Sequence, residues 1–183
     1  MLTLILGGAR SGKSRLAQRL ASAGGRVAYI ATAEAGDDPE MAGRIERHRA
    51  DRPASWRTIE EPLALAGAVT RAAQDADTIL VDCLTVWLSN LFWAHRDAAP
   101  DYAEDVARNG LLRIAELAGR CHIILVSNEL GSGTVPEHGV TRAFRDAQGL
   151  INQWAAEAAD EVILTVAGLP LYLKTAAQKE GPR

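Results

Sequence analysis

The sequence predicts a three-layer α/β fold with a mostly parallel central sheet. Three observations carry this reading: short apolar runs of strand length, segments of helical periodicity between them, and a glycine-rich loop between the first strand and the first helix. The chain of 183 residues is long enough for a full core and favours one domain, residues 1–183. It contains no repeat, low-complexity block or Pro/Ser-rich linker that would divide it.

The first strand is Leu2 to Leu6, too continuously apolar to leave one face in water, so it calls for cover on both sides. The next helix, Lys13 to Ala23, places Leu16, Ala17, Leu20 and Ala21 on one stripe and stops at Gly24-Gly25. Arg26 to Ala31 is the second strand. Asp38-Pro39 has the form of an N-cap followed by proline at the first helical position, and Pro53 limits that helix downstream. Leu63 to Gln74 is a helix and Thr78 to Asp82 a strand. Tyr102 to Ala118 is a helix, His122 to Ser127 a strand, Val140 to Ala159 a helix and Glu161 to Val166 a strand. In such sheets ligands bind beyond the carboxyl ends of the strands, so the chemistry belongs there.

A formal net charge of −3 argues against general affinity for nucleic acid, which is held by surplus Lys and Arg. The N-terminus MLTLILGG lacks the basic region and small-residue cleavage site of a signal peptide. No apolar run approaches the ~20 residues that a membrane helix needs. The expectation is a soluble, cytoplasmic protein without membrane or nucleic-acid partners. Cys83 and Cys121 sit in apolar runs without metal-ligand spacing, which implies reduced, buried thiols.

The strongest motif is Gly7-Gly8-Ala9-Arg10-Ser11-Gly12-Lys13-Ser14, a full G-x-x-x-x-G-K-[ST] in the strand-to-helix context that the motif requires. Its backbone N–H groups and the following helix N-terminus would cradle phosphate oxygens. Lys13 would reach the β and γ phosphates, and the Ser14 hydroxyl would join Mg²⁺. Asp82, ending an apolar strand, suits the second magnesium ligand; its alternative role is to cap a helix from Leu84 onward. Glu129 ends another strand at the same edge. It either accepts a substrate proton or orients a water, or it is an ordinary loop carboxylate.

The stretch AGRIERHRADRP sets His48 among Arg44, Arg47, Arg49 and Arg52. One reading is a solvated cationic face with a structural histidine. The other is a nucleotide site, because Arg44 and His48 are four apart on one helix face. Nearby positive charge disfavours imidazolium and keeps the imidazole nucleophilic, while the guanidiniums neutralise a polyphosphate under attack. That second reading makes His48 the nucleophile toward a nucleotide phosphorus.

Together with the glycine loop through Arg15, Tyr29-Ile30-Ala31-Thr32-Ala33 and Arg44-Ile45-x-x-His48-x-x-x-Arg52-Pro53-x-x-Trp56 resemble the bifunctional adenosylcobinamide kinase/adenosylcobinamide-phosphate guanylyltransferase family of cobalamin synthesis. Ser127-Asn128-Glu129-Leu130-Gly131-x-Gly133-x-Val135-Pro136 and Phe144-Arg145-Asp146-x-x-Gly149-x-x-Asn152 extend the resemblance, which runs from about residue 3 to about residue 168. It implies a phosphate-loop NTPase fold, Mg²⁺, ATP and GTP as substrates, and a homotrimer. Adenosylcobinamide would be phosphorylated first. His48, matching the family histidine, would then carry GMP from GTP to adenosylcobinamide phosphate.

The resemblance also implies nucleotide contacts on the glycine loop and on Thr32, Ala33, Glu34, Arg49, Ala50, Asp51, Arg52, Glu60 and Asp82. Some relatives carry Glu where this chain has Asp82. Helical spacing favours Arg44 toward the nucleotide, whereas the family pattern favours Arg49 and Arg52. The alternatives to this function are a monofunctional phosphate-loop kinase, with the arginines as a phosphate clamp, and a nucleotide-hydrolysing switch.

Overall fold

The structure is a computed structural model that describes residues 1–34, 43, 45, 46, 49, 50, 52–99 and 101–176. Its centre is a seven-stranded sheet. The five apolar runs form β1 (Leu2–Gly7), β2 (Val27–Ala31), β4 (Thr78–Asp82), β5 (His122–Asn128) and β6 (Glu161–Val166). Two strands absent from the sequence reading occupy the edges: β3 (Arg57–Glu60) and β7 (Leu169–Lys174). Both are largely exposed, and an edge position also tolerates Pro170 in β7, since only one side of the strand needs donors.

The strand order is β3-β2-β4-β5-β1-β6-β7, parallel throughout except for the antiparallel β6–β7 pair. The helices are α1 (Lys13–Ala21), α2 (Leu65–Ala72), α3 (Leu84–Ala94), α4 (Tyr102–Glu116) and α5 (Gly139–Ala158). The third entered the sequence reading only as the helix from Leu84 onward that Asp82 could cap. Its sequence LTVWLSNLFWA is apolar nearly all round, so no polar stripe marks its period. The ends of the predicted helices draw in by one or two residues, and α4 finishes in a 3₁₀ turn at Leu117–Gly119.

Alternation along each strand sends side chains to opposite faces and builds two cores. Leu4, Ile30, Val81 and Leu125 pack with Leu65, Trp87, Leu111 and Ile151 from α2 to α5. Ile5, Tyr29, Leu80 and Ile124 pack with Leu16, Ala17 and Ala21 of α1 on the other face. These are the three expected layers. Both cysteines are buried and free, as their apolar surroundings implied.

Parallel register brings the carboxyl ends of the strands to one rim. Gly7 lies opposite Asn128, and Ala31 lies between Glu60 and Asp82. Strand β5 separates β1 from β4, so Gly7 and Asp82 stand two strand spacings apart and two residues offset along the strands, roughly 12 Å in all. That width suits a polyphosphate stretched between them.

Candidate functional site

The glycine loop turns sharply between β1 and α1. Arg10 and Gly12 both adopt left-handed backbone, with φ 56° and 96°. A side chain at Gly7 would come within 2.6 Å of the Thr165 carbonyl oxygen and 2.4 Å of Ser11 Oγ, so only glycine lets the loop lie this close to β6. Gly12 caps α1 without a side-chain bond, leaving amides of the first turn to meet an anion. Lys13 is buried against the loop, and its Nζ donates to the Gly8 carbonyl at 3.0 Å.

Two spacings along the rim, Asp82 Oδ2 accepts a hydrogen bond from the buried Tyr29 hydroxyl at 2.8 Å. Burial, reinforced by the Asp82 charge, pushes the tyrosine pKa up, so the phenol stays protonated and donates. The following helix α3 is capped at Cys83 with no side-chain bond, which rules out the capping role considered for Asp82. Burial and the same carboxylate raise the Cys83 thiol to about 11 and leave it unreactive near neutrality.

Thr32 departs from its expected place as a nucleotide contact. It is fully buried, and its Oγ1 donates to the Cys83 carbonyl (2.8 Å) and accepts from the Cys83 N–H (2.9 Å). Its own N–H and carbonyl bond to the Asp82 carbonyl and to Asn90 Nδ2. With its polar atoms engaged inside the chain, Thr32 braces the rim from below. Ala33 lines the cleft above it, and Glu34 is exposed.

The third wall comes from the arginine segment. Gly43, Ile45, Glu46, Arg49 and Ala50 are helical. Arg49 is paired with Glu60 at the end of β3. The Arg52 guanidinium lies 3.7 Å above the Tyr29 ring, and Trp56 stacks with that ring at 6.4 Å between centroids. Tyr29, Ile45, Arg49, Arg52 and Glu60 line one cleft of about 140 Å³ together with Lys13, Ser14, Asp82 and Asn128.

Magnesium suits this donor set, since the Ser14 hydroxyl and the Asp82 carboxylate are hard oxygen ligands on the same cleft. Among the described residues no cluster of three or more His, Cys, Asp or Glu forms a cage.

Comparison with known proteins decides the family. The family model described as cobinamide kinase / cobinamide phosphate guanyltransferase matches residues 3–173. The chain belongs to this family. It is 53% identical to the bifunctional adenosylcobalamin biosynthesis protein CobP of Pseudomonas aeruginosa, over 95% of this chain and 98% of that protein. Identity is 42% to the CobU protein of Salmonella typhimurium and 40% to that of Escherichia coli, each over 95% of this chain and the whole of the relative. The fold is that of phosphate-loop NTPases. A prototypical ATPase from a type III secretion system superposes with a TM-score of 0.60 at 13% identity, over all of this chain and 58% of that one.

Within the family site, His48 and Asp51 lie outside the described residues, as do Arg44, Arg47 and the helix start at Asp38-Pro39. The structure does bring the glycine loop, Ala33, Arg49, Arg52, Glu60 and Asp82 to one rim. Glu129 is turned to its own loop, where Oε1 accepts the Gly131 N–H at 2.6 Å while its backbone N–H bonds Gly7. Its neighbour Asn128 lines the cleft instead. Asn128, Tyr29 and Val86 line the cleft without a role assigned from sequence, although Tyr29 and Asn128 stand in the segments that carry the family resemblance.

Proposed function

We propose that this chain phosphorylates adenosylcobinamide and then transfers GMP from GTP to the product, giving adenosylcobinamide-GDP. Family membership supports the two activities. The observation that carries the reading is the single cleft in which Lys13 and Ser14 face Asp82, Arg49 and Arg52.

In the kinase step the loop amides and Lys13 hold the β and γ phosphates; Ser14 and Asp82 would hold the metal, which when bound would withdraw charge from the transferring phosphoryl group. The hydroxyl oxygen of the acceptor bonds to the γ-phosphorus, the bridging oxygen leaves with the nucleoside diphosphate, and the hydroxyl proton is lost. In the second step the His48 imidazole attacks the α-phosphorus of GTP and pyrophosphate leaves. The resulting guanylyl-histidine then passes GMP to a phosphate oxygen of adenosylcobinamide phosphate. Arg49 and Arg52 neutralise the charge that builds on the α-phosphate.

Residues 1–183 would form one domain, working as a cytoplasmic homotrimer on small-molecule substrates. The test is intact-mass measurement after incubation with GTP. A covalent GMP adduct, labile in acid, stable in base and lost in His48→Ala, is the expected result. Phosphorylated product without any adduct would overturn the transferase half and leave a plain kinase.

A further inference from the structure

We infer that Tyr29 is a positioning residue that ties the metal side of the nucleotide site to its arginine side, an inference that rests on Asp82 holding the metal. The hydroxyl fixes one oxygen of Asp82 at 2.8 Å, and the ring face seats the Arg52 guanidinium at 3.7 Å. One buried side chain therefore has a different partner at each of its polar surfaces. Hydrogen bonding of the hydroxyl restricts rotation of the carboxylate about its χ2 bond, so the free oxygen keeps one direction. An aspartate without that bond would lose orientational entropy on binding a cation.

Arg52 depends on the ring for a different reason. Its Nε is buried without a hydrogen-bond partner among the described residues, and its terminal nitrogen reaches Thr58 Oγ1 only at 3.4 Å. No carboxylate pairs with Arg52 among the described residues, unlike Arg49. Cation–π attraction to Tyr29 is thus a principal contact holding the guanidinium on the cleft wall. Trp56 also packs on Tyr29, with 6.4 Å between ring centroids. Strand pairing makes the arrangement possible, because β2 lies directly beside β4 with Tyr29 opposite Leu80, two residues before Asp82.

Two substitutions separate the two contacts. Tyr29→Phe keeps the ring beneath Arg52 and removes only the bond to Asp82, whereas Tyr29→Leu removes both. The probe is α,β-methylene GTP, which cannot donate GMP, with binding measured calorimetrically across a Mg²⁺ titration and again in EDTA. For Tyr29→Phe the Mg²⁺ concentration giving half of the affinity gain should rise about 10- to 100-fold, the usual effect of losing an outer-shell partner, with affinity in EDTA unchanged. For Tyr29→Leu the affinity in EDTA should fall as well, about threefold or more.

Asp82→Asn, which leaves the tyrosine in place, should abolish most of the Mg²⁺ dependence, and adding Tyr29→Phe to it should change nothing further. The inference is overturned if Tyr29→Phe follows the native Mg²⁺ curve, or if it loses affinity equally with and without Mg²⁺ as general damage would. It is also overturned if its effect adds to that of Asp82→Asn. Native protein that binds the analogue without any Mg²⁺ dependence would overturn the metal role of Asp82 along with it; native Mg²⁺ dependence beside an unaffected Tyr29→Phe would overturn the tyrosine role alone.

Discussion

The Gly168 N–H donates to the Ser11 carbonyl at 2.8 Å, so the turn joining β6 to β7 is tied to the middle of the glycine loop. Gly168 sits at φ 81°, and a β-carbon there would meet nothing within 4 Å. The cost of substitution is therefore backbone strain alone. Gly168→Ala should lower unfolding free energy by about 1–2 kcal/mol, read by urea denaturation, and weaken triphosphate binding by loosening the loop.

Lys13→Ala should reduce GTP affinity about 100-fold or more. Charge-assisted hydrogen bonds are each worth about 1.5–3 kcal/mol, and this ammonium serves two phosphates at once. Calorimetric titration checks it. Affinity close to native would show that the glycine loop does not hold the triphosphate.

Thr32→Val preserves shape and deletes the hydroxyl that accepts the Cys83 N–H and donates to its carbonyl, which keeps the Trp87 N–H. Leaving the buried Cys83 N–H unpaired should cost about 1–3 kcal/mol of stability. Nucleotide affinity should fall too, since Asp82 precedes Cys83 directly. Denaturation and binding measurements on one preparation distinguish this from a residue that only touches ligand, which would leave stability intact.

His122 links protonation to folding. It is half-buried against Thr3 Oγ1 at 3.0 Å, and burial, followed by repulsion from the N-terminal amine, pushes its pKa down. The unfolded chain takes up this proton near the ordinary value, about 6.5, before the folded chain does. The contribution is therefore complete above about pH 6.5 and is lost as pH falls from there through the folded pKa. The stability difference between native protein and His122→Gln should shrink toward acid pH, measured as melting temperature at several pH values. A constant difference would contradict the assignment.

The central strands and the glycine loop were legible because each declares itself within a few residues. Leu2–Gly7 and Thr78–Asp82 are buried on both faces, so apolar continuity was a sufficient signal. The edges were not: β3 reads Arg-Thr-Ile-Glu, and its strand character comes from pairing with β2. The stack of Arg52, Tyr29 and Trp56 was equally hidden, since residues distant in sequence meet there by sheet order. Thr32 shows the converse. The resemblance brought it to the site as a contact, and only burial revealed that it works from underneath.

The Arg49–Glu60 ion pair changes how the arginine-rich wall should be counted. A triphosphate approaching it meets a cation whose charge is already balanced, so capture there is an exchange of anionic partners in which Glu60 must be released to water or to a donor on the ligand. Net attraction at this wall is smaller than a tally of guanidiniums suggests, and its salt dependence is correspondingly shallow. Discrimination between ligands can then reside in what each one offers the displaced carboxylate, a property that total charge does not measure.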